Sequence, residues 1–416
     1  MARVLVVSTL YPNAAQPNHG VFVENRLLHT LALGGVEATV IAPTPYFPST
    51  SPLFGRYAVY ARIPKQEVRS GVRILHPRYP VLPKIGSGWA PSAIFHAALG
   101  AARRLQAAGE TFEVLDAHYF YPDGVAAAEL ALALRLPVVI TARGSDLTLI
   151  PRNAAACRRI VWAAQEASAN VAVCEDLRRR LVRLGAHEER TLTLRNGVDL
   201  ERFTLGDRTA ARAALGLCGY IVLSVGSLIP RKGHALTIEA MRRCPEAVLL
   251  IVGQGPLRSE LERLAERLGV SSRVRFLGEL PHDRLPDVYR AADVLVLASE
   301  REGWANVLLE AMACGTPVVA TNVNGAPEVV QAPAAGVLVG QRTPERLARA
   351  IERLRRGPPV REDTRRYAEA FGWAEVARAN RALLQAAAAS SYDRRHRAEI
   401  VQSARRQLAG QAERVA

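Results

Sequence analysis

An alternation that runs the length of the chain constrains its fold more than any other feature. Short unbroken runs of valine, leucine and isoleucine recur, each followed by a longer stretch with helical periodicity. In the first half the runs are "RVLVVS" (3–8), "EATVIA" (37–42), "VRILHP" (72–77), "EVLDAH" (113–118), "PVVIT" (137–141), "ANVAV" (169–173) and "TLTL" (191–194). The second half repeats the plan with "YIVLSVG" (220–226), "AVLLIVG" (247–253), "RVRFLG" (273–278), "DVLVLAS" (293–299), "PVVAT" (317–321) and "GVLVG" (336–340). Continuous apolar runs of this length are strands covered on both faces, which means parallel sheets. The stretches between them, such as "VFVENRLLHTLALGG" and "CEDLRRRLVRLG", have helical spacing and close on glycine.

Two such series predict an α/β chain of two Rossmann-like, doubly wound domains. Length agrees, because 416 residues exceed what one core of about 250–300 residues usually holds. The alternation breaks between Leu194 and Gly219, which places the hinge there. The expected domains are 1–195, 196–375 and a helical segment 376–416 that packs back toward the first domain. Beyond Ser390 that segment is polar and basic, and it is expected to be poorly packed. A ligand is expected outside the carboxyl ends of the strands, where the two domains face each other.

Composition removes several classes. With 49% apolar and 22% charged residues the chain is globular, not disordered. No apolar run reaches the roughly 18–20 residues that cross a bilayer. "MARVLVVSTLYPN" reads as a first strand and not a signal peptide, so a cytoplasmic location is expected. The five cysteines are scattered, with no Cys-x-x-Cys pair, which argues against a zinc site or a disulfide framework. A net charge of +15 points to an acidic partner such as anionic lipid, a phosphorylated substrate or nucleic acid. The arginines are spread over many helices and not interleaved with aromatics on one face, so nucleic acid is not expected.

The stretch 302–321, "EGWANVLLEAMACGTPVVAT", carries the chemistry. It follows a buried strand, so Glu302 lies at a strand's carboxyl end. The N–H groups of Gly303, Trp304, Ala305 and Asn306 are expected to open a helix and to offer donors to hydroxyl or phosphate oxygens. Glu310 follows eight residues later, at most about 12 Å away along a helix axis. One carboxylate can hold the hydroxyls of a sugar and the other those of a ribose, as the two ends of a nucleotide-sugar clamp.

With its two glutamates and the "GTPVVAT" strand, this segment resembles the family 4 retaining glycosyltransferases (glycosyltransferase group 1, GT-B fold), in particular bacterial polysaccharide and envelope members. "SLIPRKGH", after the strand ending at Gly226, resembles the diphosphate loop, with Lys232 as its anchor and Arg231 beside it. "VRFLGEL", with Gly278 and Leu280, resembles the strand near the nucleotide base. "YPNAAQPNHGVFVENRLL" resembles the glycine loop, with Gly20 near the donor phosphate, and "DAHYFYPDG" the segment bearing an active-site histidine, His118. "TARGSD" and "RNGVDLERF" match further landmarks. Ser227 stands where the family often has Arg, and Arg143 where His is common, with Asp146 in place.

The resemblance implies catalytic roles for His118, Arg231, Lys232 and Glu302. It implies donor binding by Gly20, Gly226, Arg231, Lys232, Gly278, Leu280, Glu302, Gly303, Trp304, Ala305, Asn306 and Glu310. It implies retention, with the leaving phosphate oxygen taking the acceptor proton on the same face of the sugar. The chain has no Asp-x-Asp, so no metal and no cofactor are expected beyond the nucleotide diphosphate sugar, and cations must neutralise the leaving group. The expected partners are that donor and a glycan or lipid-linked acceptor of envelope or exopolysaccharide synthesis. Residues 46–64 and 79–99 mix aromatics with Arg56, Arg62 and Lys84, and they motivate peripheral contact with an anionic membrane. A nucleotide-sugar epimerase of the same fold, or a non-enzymatic binder of anionic membrane or nucleic acid, remains an alternative.

Overall fold

The computed structural model describes residues 1–81, 88–390 and 397–408. Lys84 therefore lies outside the described residues, as does the side chain of Arg56. The described residues form two compact units, Met1–Asn196 together with 374–390 and 397–408, and Gly197–Trp373.

In the first unit the strands are β1 (Ala2–Val7), β2 (Val36–Ile41), β3 (Thr44–Pro45), β4 (Gln66–Arg69), β5 (Val72–Leu75), β6 (Arg78–Tyr79), β7 (Val114–His118), β8 (Val138–Ala142), β9 (Ala169–Ala172) and β10 (Thr191–Thr193). Eight of them form one sheet in the order β10-β9-β8-β7-β1-β2-β5-β4, and β3 pairs with β6 separately. All neighbours in the large sheet are parallel except β4 against β5. The second unit holds β11 (Tyr220–Val225), β12 (Ala247–Val252), β13 (Val274–Gly278), β14 (Val294–Leu297), β15 (Val318–Thr321) and β16 (Gly336–Val339). They form a wholly parallel sheet, β13-β12-β11-β14-β15-β16. Numbered within the unit this is 3-2-1-4-5-6, the doubly wound order whose chain reverses direction between its first and fourth strands.

Every apolar run in the sequence became a strand, and the central ones, such as β7, β8, β14 and β15, are buried on both faces. Val222, Ile251, Val294 and Val319, for example, pack against Leu347, Ile351 and Leu354 of the helix Pro344–Arg356. Each such side chain contributes about 1.5–3 kcal/mol of burial. The strands without a sequence signal are short or lie at the sheet edge. Strand β4, "QEVR", is an antiparallel edge strand with no buried residue, and β3 and β6 are two residues each. The same packing accounts for much of the positive charge, since Arg353, Arg355 and Arg356 project from the solvated face of a helix whose other face is core.

One expectation is corrected at the carboxyl end. The helix Arg397–Leu408 is packed, not loose: Ile400, Val401 and Ala404 are buried, and buried Arg397 donates to the Glu166 carbonyl at 2.7 Å. Its composition is polar and basic on average, but its apolar residues share one face (i, i+1, i+4), which is what burial requires. Among the described residues no helix is long and apolar enough to cross a membrane.

Candidate active site

In the second unit the chain reverses between β11 and β14, so the loops leaving these neighbouring strands lie side by side. Backbone and side-chain bonds stitch them together. The Glu300 N–H donates to the Arg231 carbonyl at 2.8 Å, and Arg231 Nη1 donates to the Arg301 carbonyl at 3.0 Å. Lys232 Nζ donates to Glu302 Oε1 at 2.6 Å, and Ser299 Oγ donates to the same oxygen at 2.6 Å. Arg231 Nη1 is 3.6 Å from the other carboxylate oxygen, and the Glu302 N–H donates to Asn324 Oδ1 at 3.1 Å. Glu302 is 8% exposed. Burial alone would raise its pKa, but Lys232, Ser299 and Arg231 outweigh burial and hold it below the usual value. The expected trio of Arg231, Lys232 and Glu302 is thus one ion-paired cluster.

Three glycines end neighbouring strands in a row. Gly226 follows β11, Gly253 follows β12 and Gly278 ends β13, with φ of 149°, 137° and 74°. The Gly226 N–H donates to the Val252 carbonyl at 2.9 Å and the Gly253 N–H to the Gly278 carbonyl at 2.7 Å. A Cβ on Gly253 would lie 2.0 Å from the Gly226 carbonyl oxygen, while one on Gly278 would meet nothing within 4 Å. The stem of Lys232 lies along Gly226, with Cε 3.4 Å from where a Cβ would be. Gly253 was not among the expected residues, although "LLIVGQG" repeats the strand-then-glycine pattern of "YIVLSVG". Leu280 is half-buried just beyond Gly278.

Glu310 stands apart from that cluster. Its Oε2 accepts from the Tyr289 hydroxyl at 2.7 Å, and its Oε1 lies 3.4 Å from His282 Nε2. Burial, then the nearby Glu310 carboxylate, raises the pKa of Tyr289, so this hydroxyl stays a donor. Phe203 packs edge-on against both His282 and Tyr289. The helix bearing Glu310 is shorter than expected. It spans Asn306–Ala313 with Ala305 as its cap, so Gly303 and Trp304 precede it. The Asn306 N–H is turned to the Trp304 carbonyl at 3.2 Å, which removes it from the expected donor row, and the stretch from 302 to 305 does not rise as a helix. Within this turn Trp304 is buried, its ring centroid 6.4 Å from that of Phe371.

In the first unit the corresponding reversal lies between β1 and β7, and Gly20 and His118 both fall there. Gly20 caps the helix Val21–Ala32 at φ 74°, and a Cβ on it would lie 2.4 Å from the backbone of Leu10. His118 is 1% exposed and held on both sides. Its Nδ1 accepts from Arg143 Nη2 at 2.8 Å, which leaves the proton on Nε2, 3.5 Å from Asp116 Oδ2. Burial, with Arg143 assisting and Asp116 opposing, lowers its pKa to about 4, so it is neutral at pH 7. As placed, both nitrogens are engaged within the unit, and burial, with Arg26 assisting, pushes the pKa of Arg143 well down while Asp116 and Asp146 oppose the shift. Asp146 accepts from the N–H groups of Phe120, Arg143 and Gly144, so it shapes the loop.

Beside these residues, at the ends of β1, β2 and β5, lies a pocket of about 200 Å³. Tyr11, Asn13, His19, Thr44, Tyr60 and Tyr79 are among its walls, and its described lining has no Lys, Arg, Asp or Glu. Burial lowers the pKa of His19, which favours its neutral form. The Tyr11 hydroxyl is buried without a hydrogen-bond partner. A larger hollow in the second unit, about 680 Å³ along the helix Pro344–Arg356, lies among charges that pair with one another, such as Arg243 and Glu345 at 2.8 Å.

The buried ionisable groups predict an acid sensitivity that is greater in the second unit than in the first. His234, 2.9 Å from Ser224 Oγ, is depressed by burial to about 4, like His118. An unfolded histidine near 6.5 takes up a proton that the folded one refuses. Each histidine's contribution is therefore full above pH 6.5 and is lost as pH falls toward 4, on the order of 2–3 kcal/mol. In the first unit Asp123 opposes this, because burial raises it to about 7, and its contribution grows as pH falls. The second unit has no such counterweight among its shifted groups. Hydrogen exchange at pH 7 and 4.5 should show the second unit losing protection first, and His234→Asn should flatten that dependence. Equal acid loss in both units would refute this balance.

The chain is similar to known proteins. Residues 25–202 match the model described as Glycosyltransferase Family 4, and residues 208–371 match Glycosyl transferases group 1. The D-inositol 3-phosphate glycosyltransferase 1 of Catenulispora acidiphila is 31% identical over 408 residues, which cover 90% of this chain and 93% of that protein. The putative teichuronic acid biosynthesis glycosyltransferase TuaC of Bacillus subtilis is 28% identical over 78% of this chain and 82% of its own. Among solved structures, a sucrose-phosphate synthase from Thermosynechococcus elongatus superposes with a TM-score of 0.77 at 22% identity, covering 91% of this chain and 96% of that one.

Proposed function

The chain belongs to the glycosyltransferases of family 4 and group 1, with the GT-B fold, and from that premise we propose a retaining, metal-independent hexosyltransferase acting on a nucleotide diphosphate sugar. The observation that carries the reading is the Lys232–Glu302 pair with Arg231 at the strand reversal of the second unit. Lys232 and Arg231 supply fixed positive charge for a leaving diphosphate, and Glu302 accepts from sugar hydroxyls once a diphosphate draws Lys232 away. The bond from the sugar's anomeric carbon to phosphate oxygen breaks, and the acceptor oxygen bonds to the same face. The acceptor's proton passes to the departing phosphate oxygen. Glu310, held by Tyr289 and His282, takes the ribose hydroxyls.

The acceptor is a glycan or lipid-linked intermediate of envelope synthesis, a reading supported by the name of the Bacillus relative. It is met at an anionic membrane surface, for which exposed Leu53, Phe54 and Trp89 provide apolar contacts. The uncharged, tyrosine-lined pocket of the first unit suits a sugar ring.

The test is a thermal-shift screen of UDP, GDP and ADP, followed by assays of their hexose conjugates. Turnover should survive excess EDTA, and the product's anomeric configuration should match the donor's. Loss on chelation with recovery by Mg²⁺, or inversion, would overturn the corresponding part. Glu310→Gln keeps an acceptor for Tyr289, so it should fold. It should weaken nucleoside diphosphate binding by about 1–3 kcal/mol. Co-sedimentation with anionic but not neutral vesicles, fading as salt rises, tests the membrane contact.

A further inference from the structure

A second hollow in the first unit is used by neither role. It measures about 320 Å³ and lies between the carboxyl end of β5 and the helix Ala90–Ala107. Lys65, Arg78 and Arg104 line it together with His96, and no carboxylate is among its described lining.

Many surface arginines of this unit are answered by an acid: Arg3 by Glu113, Arg73 by Glu110 and Arg159 by Glu129. Lys65, Arg78 and Arg104 have no carboxylate partner among the described residues. Arg78 gives Nη2 to the Ile63 carbonyl, while its Nη1 is buried without a hydrogen-bond partner. The neighbouring acid, Glu67, is turned away, bonding His76 Nε2 at 2.8 Å and the Ala14 N–H at 3.1 Å. Three like charges around one hollow repel one another, and an anion among them relieves that repulsion.

The hollow adjoins the uncharged pocket. His76 is a wall of both. Ile63, which Arg78 grips, and Tyr79, the residue after Arg78, line the uncharged side. One short segment therefore presents cations to one cavity and an aromatic ring to the next.

We propose that this hollow binds a phosphate-class anion carried by the acceptor, while the acceptor's hydroxyl-bearing ring occupies the adjoining uncharged pocket. The proposal rests on reading the first unit as the acceptor side.

The full chain is saturated with whichever nucleoside diphosphate gives the largest thermal shift, which occupies the donor site. Inorganic phosphate, glucose 6-phosphate and inositol 1-phosphate are then titrated in. Phosphate should bind saturably, and at least one sugar phosphate at least tenfold more tightly, because the ring adds contacts next door. Lys65→Gln/Arg104→Gln should weaken all three at least tenfold while leaving the nucleotide-induced shift unchanged. Both residues are exposed, and Arg104→Gln alone serves if the pair of changes impairs folding. No saturable phosphate binding, or binding unaffected by the substitutions, would overturn the proposal. Phosphate binding without tighter sugar-phosphate binding would make the hollow a free-phosphate site and overturn the acceptor part. Failure of the donor reading would appear separately, as no nucleotide-induced shift in the wild type.

Discussion

Replacing Glu302 by Gln is expected to lower transfer by on the order of 10²–10³-fold while leaving affinity for free nucleoside diphosphate equal to or higher than that of the wild type. The direction follows from the ion pair. Lys232 spends the unliganded state bound to Glu302 at 2.6 Å, so a diphosphate has to compete with the carboxylate for the same ammonium. Removing the negative charge frees Lys232 for phosphate and at the same time leaves the sugar hydroxyls a neutral amide oxygen, a weaker acceptor than the carboxylate. Lys232→Ala should do the reverse. It should weaken diphosphate binding and destabilise the second unit by about 3–5 kcal/mol, because it leaves a buried carboxylate with only Ser299 and a longer contact to Arg231. Calorimetric titration of diphosphate into both variants, beside single-turnover transfer, separates the two effects. If Glu302→Gln loses as much nucleotide affinity as Glu310→Gln, the assignment of the two glutamates to opposite ends of the donor is wrong.

Gly253→Ala should cost about 3–5 kcal/mol, far more than Gly278→Ala at about 1–2 kcal/mol, although both glycines end neighbouring strands at positive φ. At Gly278 only backbone strain is added, because the space beyond it is open. At Gly253 the new methyl lies 2.0 Å from a backbone oxygen of Gly226, and neither strand end can yield without breaking the bonds that hold the row. Relief by moving Gly226 would carry the stem of Lys232 with it, so diphosphate affinity should fall as well. Urea denaturation of the two variants measures the difference. Similar midpoints would mean that the strand ends relax, and that close backbone approach is not what demands glycine here.

Sequence alone determined the class of fold, because burial on both faces writes itself into consecutive residues. A run such as "AVLLIV" has no alternation left to misread, and each such run is a parallel strand. It also marked Gly226, Lys232, Glu302 and Glu310, since strand, glycine and loop are contiguous in the chain. Partners could not be read this way. Lys232 and Glu302 are 70 residues apart and meet only because the sheet order sets β11 beside β14. The bonds of Tyr289 and His282 to Glu310, the clamp of Arg143 and Asp116 on His118, and the burial of the basic helix 397–408 likewise depend on which elements become neighbours. Local periodicity says which face of an element is apolar. Tertiary packing decides what that face, and the polar groups beside it, will touch.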